Sequence, residues 1–299
     1  MIEVDKLTKV YGAHHAIQDL SFRVNKGEIL GFLGPNGAGK TTTMRILAGA
    51  IGATSGRALI GGVDVFTRPR EVKAMVGYLP ERPPLYTEMS VRSYLLFCAR
   101  IKRAKDPIKA TDKVIEQVGL STVAHRLIEH LSKGYRQRVG IASALVHQPA
   151  VLILDEPASG LDPAQRVEIR GLVQELAAGD TTVILSTHVL PEVEAICDRV
   201  IILDQGVIKL SGSVHDLEEG NHSVSICVAR PDDSLLATLQ QLPGVDTLTH
   251  TGQGRLHLSC SRDSREEIAQ TAVPFGLLEL KSEHALEDLF LKLTHEDSK

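Results

Sequence analysis

The chain has 299 residues, enough for one large domain or two smaller ones, and its 43% hydrophobic content suffices for a buried core. Its 33 basic residues fall short of its 37 acidic ones, and the net charge of -4 speaks against a general nucleic-acid binder. The four cysteines, Cys98, Cys197, Cys227 and Cys260, lie far apart without a CxxC pair, which argues against a disulfide framework or a cysteine metal site and suits a reducing cytosol. The N-terminal stretch "MIEVDKLTKVYG" alternates and sets two acids against two lysines, unlike a signal peptide. No apolar run approaches the ~18 residues a membrane span needs, so work at a membrane would require a second, spanning chain.

Residues 2–7 and 21–25 alternate apolar and polar side chains, as half-buried strands do. "EILGFL", Glu28 to Leu33, is more continuously apolar and runs into a glycine-rich turn. Beyond the turn Met44, Leu47, Ala48 and Ile51 recur at helical spacing, so the order is strand, glycine loop, helix. "VLIL" (151–154) and "TTVILST" (181–187) read as strands covered on both faces. Such strands, separated by helical patterns, imply a parallel sheet with helices on it, an α/β class. The stretch from about 88 to 148 lacks strand signals and reads as an inserted helical lobe. Composition shifts between Gly206 and Gly220, and a boundary is expected near 220. The tail, 221–299, reads strand, helix, strand, strand, helix, strand and a final helix in "ALEDLFLKLT", a small α+β unit.

Chemistry concentrates at four places. "GPNGAGKT", Gly34 to Thr41, fits GxxxxGK[ST]. Its loop, Gly34, Pro35, Asn36, Gly37, Ala38 and Gly39, can surround phosphate oxygens with the backbone N–H groups of its residues other than Pro35, and the following helix aims its positive end at the same anion. Lys40 would reach the β- and γ-phosphates, and Thr41, with Thr42 beside it, would place a hydroxyl at Mg²⁺. "VLILDEP" sets Asp155 and Glu156 at the carboxyl end of a buried strand, the end that faces the ligand crevice in open parallel sheets. Asp155 would hold the metal, and Glu156 is placed to act as general base on a water attacking the γ-phosphate. Alone, the two acids could equally decorate a helix N-terminus. His188, after the strand 181–187, would sense the γ-phosphate or the water; taken singly it could be structural. In "LSKGYRQR", Leu131 to Arg138, Ser132 can cap a helix starting near Gly134, and a capped start among cations is a phosphate receptor. A second receptor makes sense if it serves a nucleotide held by another copy.

These motifs in this order, closing with "SGLDP" and "STH", resemble the nucleotide-binding subunit of ATP-binding cassette (ABC) transporters over residues 1 to about 220. The resemblance implies a P-loop NTPase core with an antiparallel β-subdomain and an inserted helical subdomain. It implies ATP and Mg²⁺ as ligands, and a homodimer or heterodimer in which each phosphate loop faces the partner's signature, "LSKGYRQR". It also implies an integral membrane permease as partner and a peripheral place on the cytoplasmic face of the membrane. Tyr11 matches the aromatic that stacks on adenine, Asp162 the loop that communicates between subunits, and Glu81 a position usually held by glutamine, which adds charge near the phosphates and a third oxygen ligand for Mg²⁺. "GYLPERPPLY" falls in the loop that links nucleotide site and permease.

Lys133 and Tyr135 depart from the common LSGGQ signature; Lys133 either approaches the γ-phosphate or faces solvent. The signature variant and the small tail are similar to exporters of the ABC-2 type, including gliding-motility and multidrug or polysaccharide export relatives. The basic run "ARIKRAKDP" (99–107) could touch anionic headgroups or partner loops, or be a solvated helix face. A soluble ABC ATPase acting on ribosomes or DNA would carry two cassettes or a long coiled coil, and a kinase or GTPase switch would need an acceptor site or an NKxD motif. The sequence has none of these.

Overall fold

Alternation at the start of the chain builds a hairpin of β1 (Ile2–Tyr11) and β2 (His14–Val24), longer than the alternating segments alone suggest. In the computed structural model, which describes residues 1–219, 222–252, 254–283, 289–290 and 293, every residue of β3 (Ile29–Leu33) is buried. The glycine loop and α1 (Lys40–Leu47) follow it. β4 (Ser55–Ile60) and β5 (Val63–Asp64) return to the hairpin and complete an antiparallel sheet of order β2-β1-β4-β5. α2 (Pro69–Met75) then leads into β6 (Val76–Leu79).

Between β6 and the next strand the chain is helical, as the missing strand signal requires: α3 (Val91–Ile101), α4 (Pro107–Gln117) and α5 (Lys133–Leu145). Ser90, Asp106 and Ser132 cap their first turns, each accepting a backbone N–H three residues on. β7 (Val151–Asp155), α6 (Pro163–Ala178), β8 (Thr182–Thr187), α7 (Leu190–Ile196), β9 (Arg199–Asp204) and β10 (Val207–Ser213) complete the first unit's elements.

The second sheet has the order β10-β9-β3-β8-β7-β6, and β9, β3, β8, β7 and β6 pair in parallel. Parallel pairing brings the carboxyl ends of β3, β6, β7 and β8 to one edge, so residues far apart in sequence meet there. The main core lies between the two sheets: Ile2, Leu20 and Ile60 from one join Phe32, Ile153 and Ile184 from the other, with Met44 and Leu47 of α1. Phe22 meets Phe32 edge to face at 5.2 Å. Each such buried side chain contributes roughly 1.5–3 kcal/mol of transfer free energy. This mixed α/β architecture, with an antiparallel sheet beside a parallel one, is that of the P-loop NTPase class.

The chain divides into compact units Met1–Ser211 and Gly212–Lys299, so the division falls before the expected residue 220. β10 itself crosses that division to end at Ser213, and within the second unit Leu217 of α8 (Val214–Glu219) lies against Gly212.

The second unit continues with β11 (His222–Val228), α9 (Asp233–Gln240), β12 (Val245–Gly252), β13 (Arg255–Cys260), α10 (Arg265–Ala272) and β14 (Leu277–Glu283). Its antiparallel sheet has the order β12-β13-β11-β14. Leu235, Leu239 and Ile268 of the helices share one core with Val224, Ile226 and Leu258, which makes it a βαββαβ sandwich of one sheet and two helices. The final helix expected in 285–294 falls almost wholly outside the described residues.

Candidate nucleotide site

The loop after β3 turns because Gly39 takes φ 103°, a conformation open to glycine, and a β-carbon there would lie 2.7 Å from the Ala16 carbonyl oxygen. Lys40, first residue of α1, folds back over this loop. Its ammonium donates to the carbonyls of Gly34 (2.6 Å) and Pro35 (3.1 Å) and stands 3.9 Å from Glu156 Oε1. Burial pushes the Lys40 pKa down, against the pull of the Glu156, Asp155 and Glu81 carboxylates.

Asp155 ends β7 and is fully buried. Its Oδ1 accepts from the hydroxyls of Thr41 (3.1 Å) and Ser186 (2.6 Å), while Oδ2 is buried without a partner among the described residues. Burial raises its pKa; the two hydroxyls oppose that, and nearby Glu81 adds to it. An orphaned carboxylate oxygen beside a threonine hydroxyl, with a second carboxylate near, suits a hard divalent cation. No group of three or more His, Cys, Asp or Glu side chains among the described residues could hold a metal by itself, so a cation here would complete its shell with phosphate and water oxygens.

Glu156 adopts φ 50°, and its N–H is fixed by the Ser186 carbonyl (3.1 Å) and hydroxyl (3.0 Å). The carboxylate is thereby swung back, with Oε2 2.9 Å from His188 Nδ1 at the end of β8. A cavity of about 430 Å³ is walled by the loop from Asn36 to Thr42, with Tyr11 on one side and Glu81, Glu156 and His188 on the other. Tyr11 is 47% exposed, and the Lys9 ammonium sits 4.9 Å from its ring centre. The first half of the expected site is thus brought together.

Ser132, Gly134 and Asp162 are not part of it. Ser132 and Gly134 line another cavity with Tyr135, Arg138 and Gln165, and the two cavities share no residue. Asp162 caps α6, accepting from the Gln165 N–H at 2.9 Å. The basic run 99–107 lines neither cavity. Sequence reasoning passed over Ser186, which holds both Asp155 and the Glu156 backbone, and Ser159, which lines the nucleotide cavity. A hydroxyl at the end of a buried strand was the available signal for Ser186.

Residues 17–159 match the ABC transporter family. The ABC transporter ATP-binding protein YxlF of Bacillus subtilis is 34% identical over 99% of this chain and 100% of its own length. The bacitracin transport ATP-binding protein BcrA of Bacillus licheniformis is 34% identical over 98% of this chain and 97% of its own. A dimeric ATP-binding cassette in a post-hydrolysis state with ADP and Pi shares the fold, with TM-score 0.66 and 22% identity over 71% of this chain and 98% of that one. Among the described residues no helix is long and apolar enough to cross a membrane. With phosphate loop, carboxylate pair and histidine assembled on one sheet edge, and relatives alike along their whole lengths, the chain belongs to the ATP-binding, ATP-hydrolysing proteins of ABC transporters, which work with a transporter's membrane subunits.

Proposed function

We propose that two such chains, or this chain and a close relative, close head to tail around ATP and drive an export permease from the cytoplasmic face of the membrane. One observation carries this reading: Ser132 and Gly134 open into a cavity that shares nothing with the phosphate loop of their own chain. A helix start capped by Ser132, with no acid in its first turn, is suited to an anion that its own chain does not present. The relative named for bacitracin transport and the ABC-2 resemblance both favour export.

The geometry and the family resemblance together support these residue roles. Tyr11 stacks the adenine. The backbone from Gly34 to Thr42 receives the phosphates, and Lys40 exchanges two carbonyl partners for phosphate oxygens. Thr41, Asp155 and Glu81 would hold Mg²⁺, which when bound would neutralise phosphate charge. Glu156, oriented by Ser186 and His188, takes a proton from the attacking water; that water's oxygen bonds to the γ-phosphorus as the bond to the bridging oxygen breaks, leaving ADP and phosphate. His188 stays within reach of the departing phosphate, and Asp162 lies on the route to the partner.

Size-exclusion chromatography of Glu156→Gln tests the reading: with ATP the chain runs as a dimer, and with ADP as a monomer. Efficient turnover by a strictly monomeric wild-type chain refutes it.

A further inference from the structure

The hairpin end at the mouth of the nucleotide cavity carries a second flat side chain beside Tyr11. β1 and β2 are joined by Gly12 and Ala13, and Gly12 takes φ 60°. Two-residue hairpin turns of the primed types need a positive φ at their first position, which glycine supplies without strain. So short a turn fixes the register, and Tyr11 pairs directly with His14. The side chains of directly paired residues share one face of a sheet, with β-carbons about 4.5–5.5 Å apart. Both Tyr11 and His14 wall the cavity, and both are exposed. His15 pairs with Val10, falls on the opposite face by alternation and does not wall the cavity.

The same face leads to the phosphate loop. Ala16, two residues beyond His14, also walls the cavity, and its carbonyl oxygen lies 2.7 Å from where a β-carbon at Gly39 would stand. With phosphates on the backbone from Gly34 to Thr42, the nucleoside end of the ligand falls over Tyr11 and His14. Lys9 lies two residues before Tyr11 on the same face, with its ammonium 4.9 Å from the ring centre. Lys9 does not wall the cavity, so the ring stands between the ammonium and the ligand. A cation on one face of a tyrosine ring holds the ring in place. It also draws electron density away from the other face, which then stacks better on an electron-rich base.

We infer that Tyr11 and His14 form a two-ring platform that reads the size of the base, with Lys9 as a positioning residue behind Tyr11. A purine, with two fused rings, is long enough to cover both side chains; a pyrimidine covers one. The ligand class selected is a purine nucleoside triphosphate, so that ATP and GTP are both favoured over CTP. This rests on the stacking of adenine on Tyr11 proposed above and adds the second contact and the rule of selection.

The test is steady-state hydrolysis of ATP, GTP and CTP by the full-length chain, with inorganic tripolyphosphate as a competitive inhibitor that lacks a base. His14→Ala raises KM for ATP and GTP about three- to tenfold and leaves KM for CTP within about twofold, so the preference for purines shrinks. Lys9→Met raises KM for all three about two- to fivefold, because it acts through Tyr11. Lys9→Arg keeps the wild-type values, since a guanidinium also stacks on an aromatic face. In a Tyr11→Ala background Lys9→Met has no further effect. Throughout, kcat and the inhibition constant of tripolyphosphate stay within about twofold, as the loss of binding at the nucleoside end alone requires. Melting temperatures stay at the wild-type value, since Tyr11 and His14 are exposed and Lys9 is half-buried.

An unchanged ratio of KM for CTP to KM for ATP in His14→Ala overturns the platform. Weaker inhibition by tripolyphosphate in Lys9→Met assigns the ammonium to the phosphates and overturns its positioning role. An unchanged KM for ATP in Tyr11→Ala strikes the stacking reading itself, whereas a raised KM there with wild-type selectivity in His14→Ala strikes only the inference.

Discussion

The nucleotide cavity and the start of α5, the two phosphate receptors of the proposed function, are built in opposite ways. The cavity is dense: Lys40 donates to two carbonyls of its own loop, Asp155 is held by Thr41 of α1 and Ser186 of β8, Glu156 by Ser186, and Lys40 and Asp155 are almost or fully buried. The start of α5 is sparse. Ser132 and Lys133 are exposed, and the single cap bond from Tyr135 N–H is long at 3.4 Å. One receptor is densely held within the chain; the other is open, as the proposed head-to-tail pairing requires. The difference shows why a complete set of motifs in one chain need not amount to a complete reaction centre.

Substitutions can break or sharpen that contrast. The largest effect is expected at Glu156: Glu156→Gln keeps ATP affinity but lowers kcat by roughly 10²–10⁴-fold, the range for a lost general base. Phosphate-release assays beside nucleotide titration check it, and normal turnover would remove Glu156 from that role. Lys40→Ala acts on the same dense site but on binding: losing a charge-assisted contact to phosphate weakens ATP affinity about 10–100-fold, read by calorimetry. Tyr11→Ala is milder, raising the dissociation constant about 5–20-fold through lost stacking.

Ser132→Ala separates the two receptors most cleanly. Nucleotide affinity of the isolated chain stays at the wild-type value, whereas ATP-driven dimerisation weakens about tenfold as the cap and the contact across the interface are lost together. An equal loss of monomer affinity would mean that the two receptors are one.

The smallest expected effect lies in neither site. His147 follows α5; burial, aided by Lys102, pushes its pKa down to about 4, and its Nε2 meets the Val76 carbonyl at 3.1 Å. Because the folded value lies below the ordinary 6.5, the unfolded chain takes up the proton first. The contribution is therefore full above pH 6.5 and is lost as pH falls toward 4. The loss is of order 1–3 kcal/mol. Urea midpoints at pH 7 and pH 4.5 should fall further in wild type than in His147→Gln, without a change in nucleotide affinity at pH 7.

The sequence by itself determined the local chemistry. "GPNGAGKT" between an apolar strand and an amphipathic helix could be little other than a phosphate loop, and beside it "VLILDEP" read as two acids at a buried strand's end. These are legible because a turn, a cap or a buried strand is encoded within a dozen residues. Only the tertiary structure decided which strand ends share an edge, and so that Ser186 holds Asp155 while His188 meets Glu156. It decided the left-handed backbone of Glu156, which no local pattern announces, and the division before 212 rather than 220. It also decided that Tyr11 and His14 wall the same cavity as the phosphate loop. Strand order, close approach and the direction of a side chain depend on contacts between residues distant in the chain, and nothing within a local window specifies them.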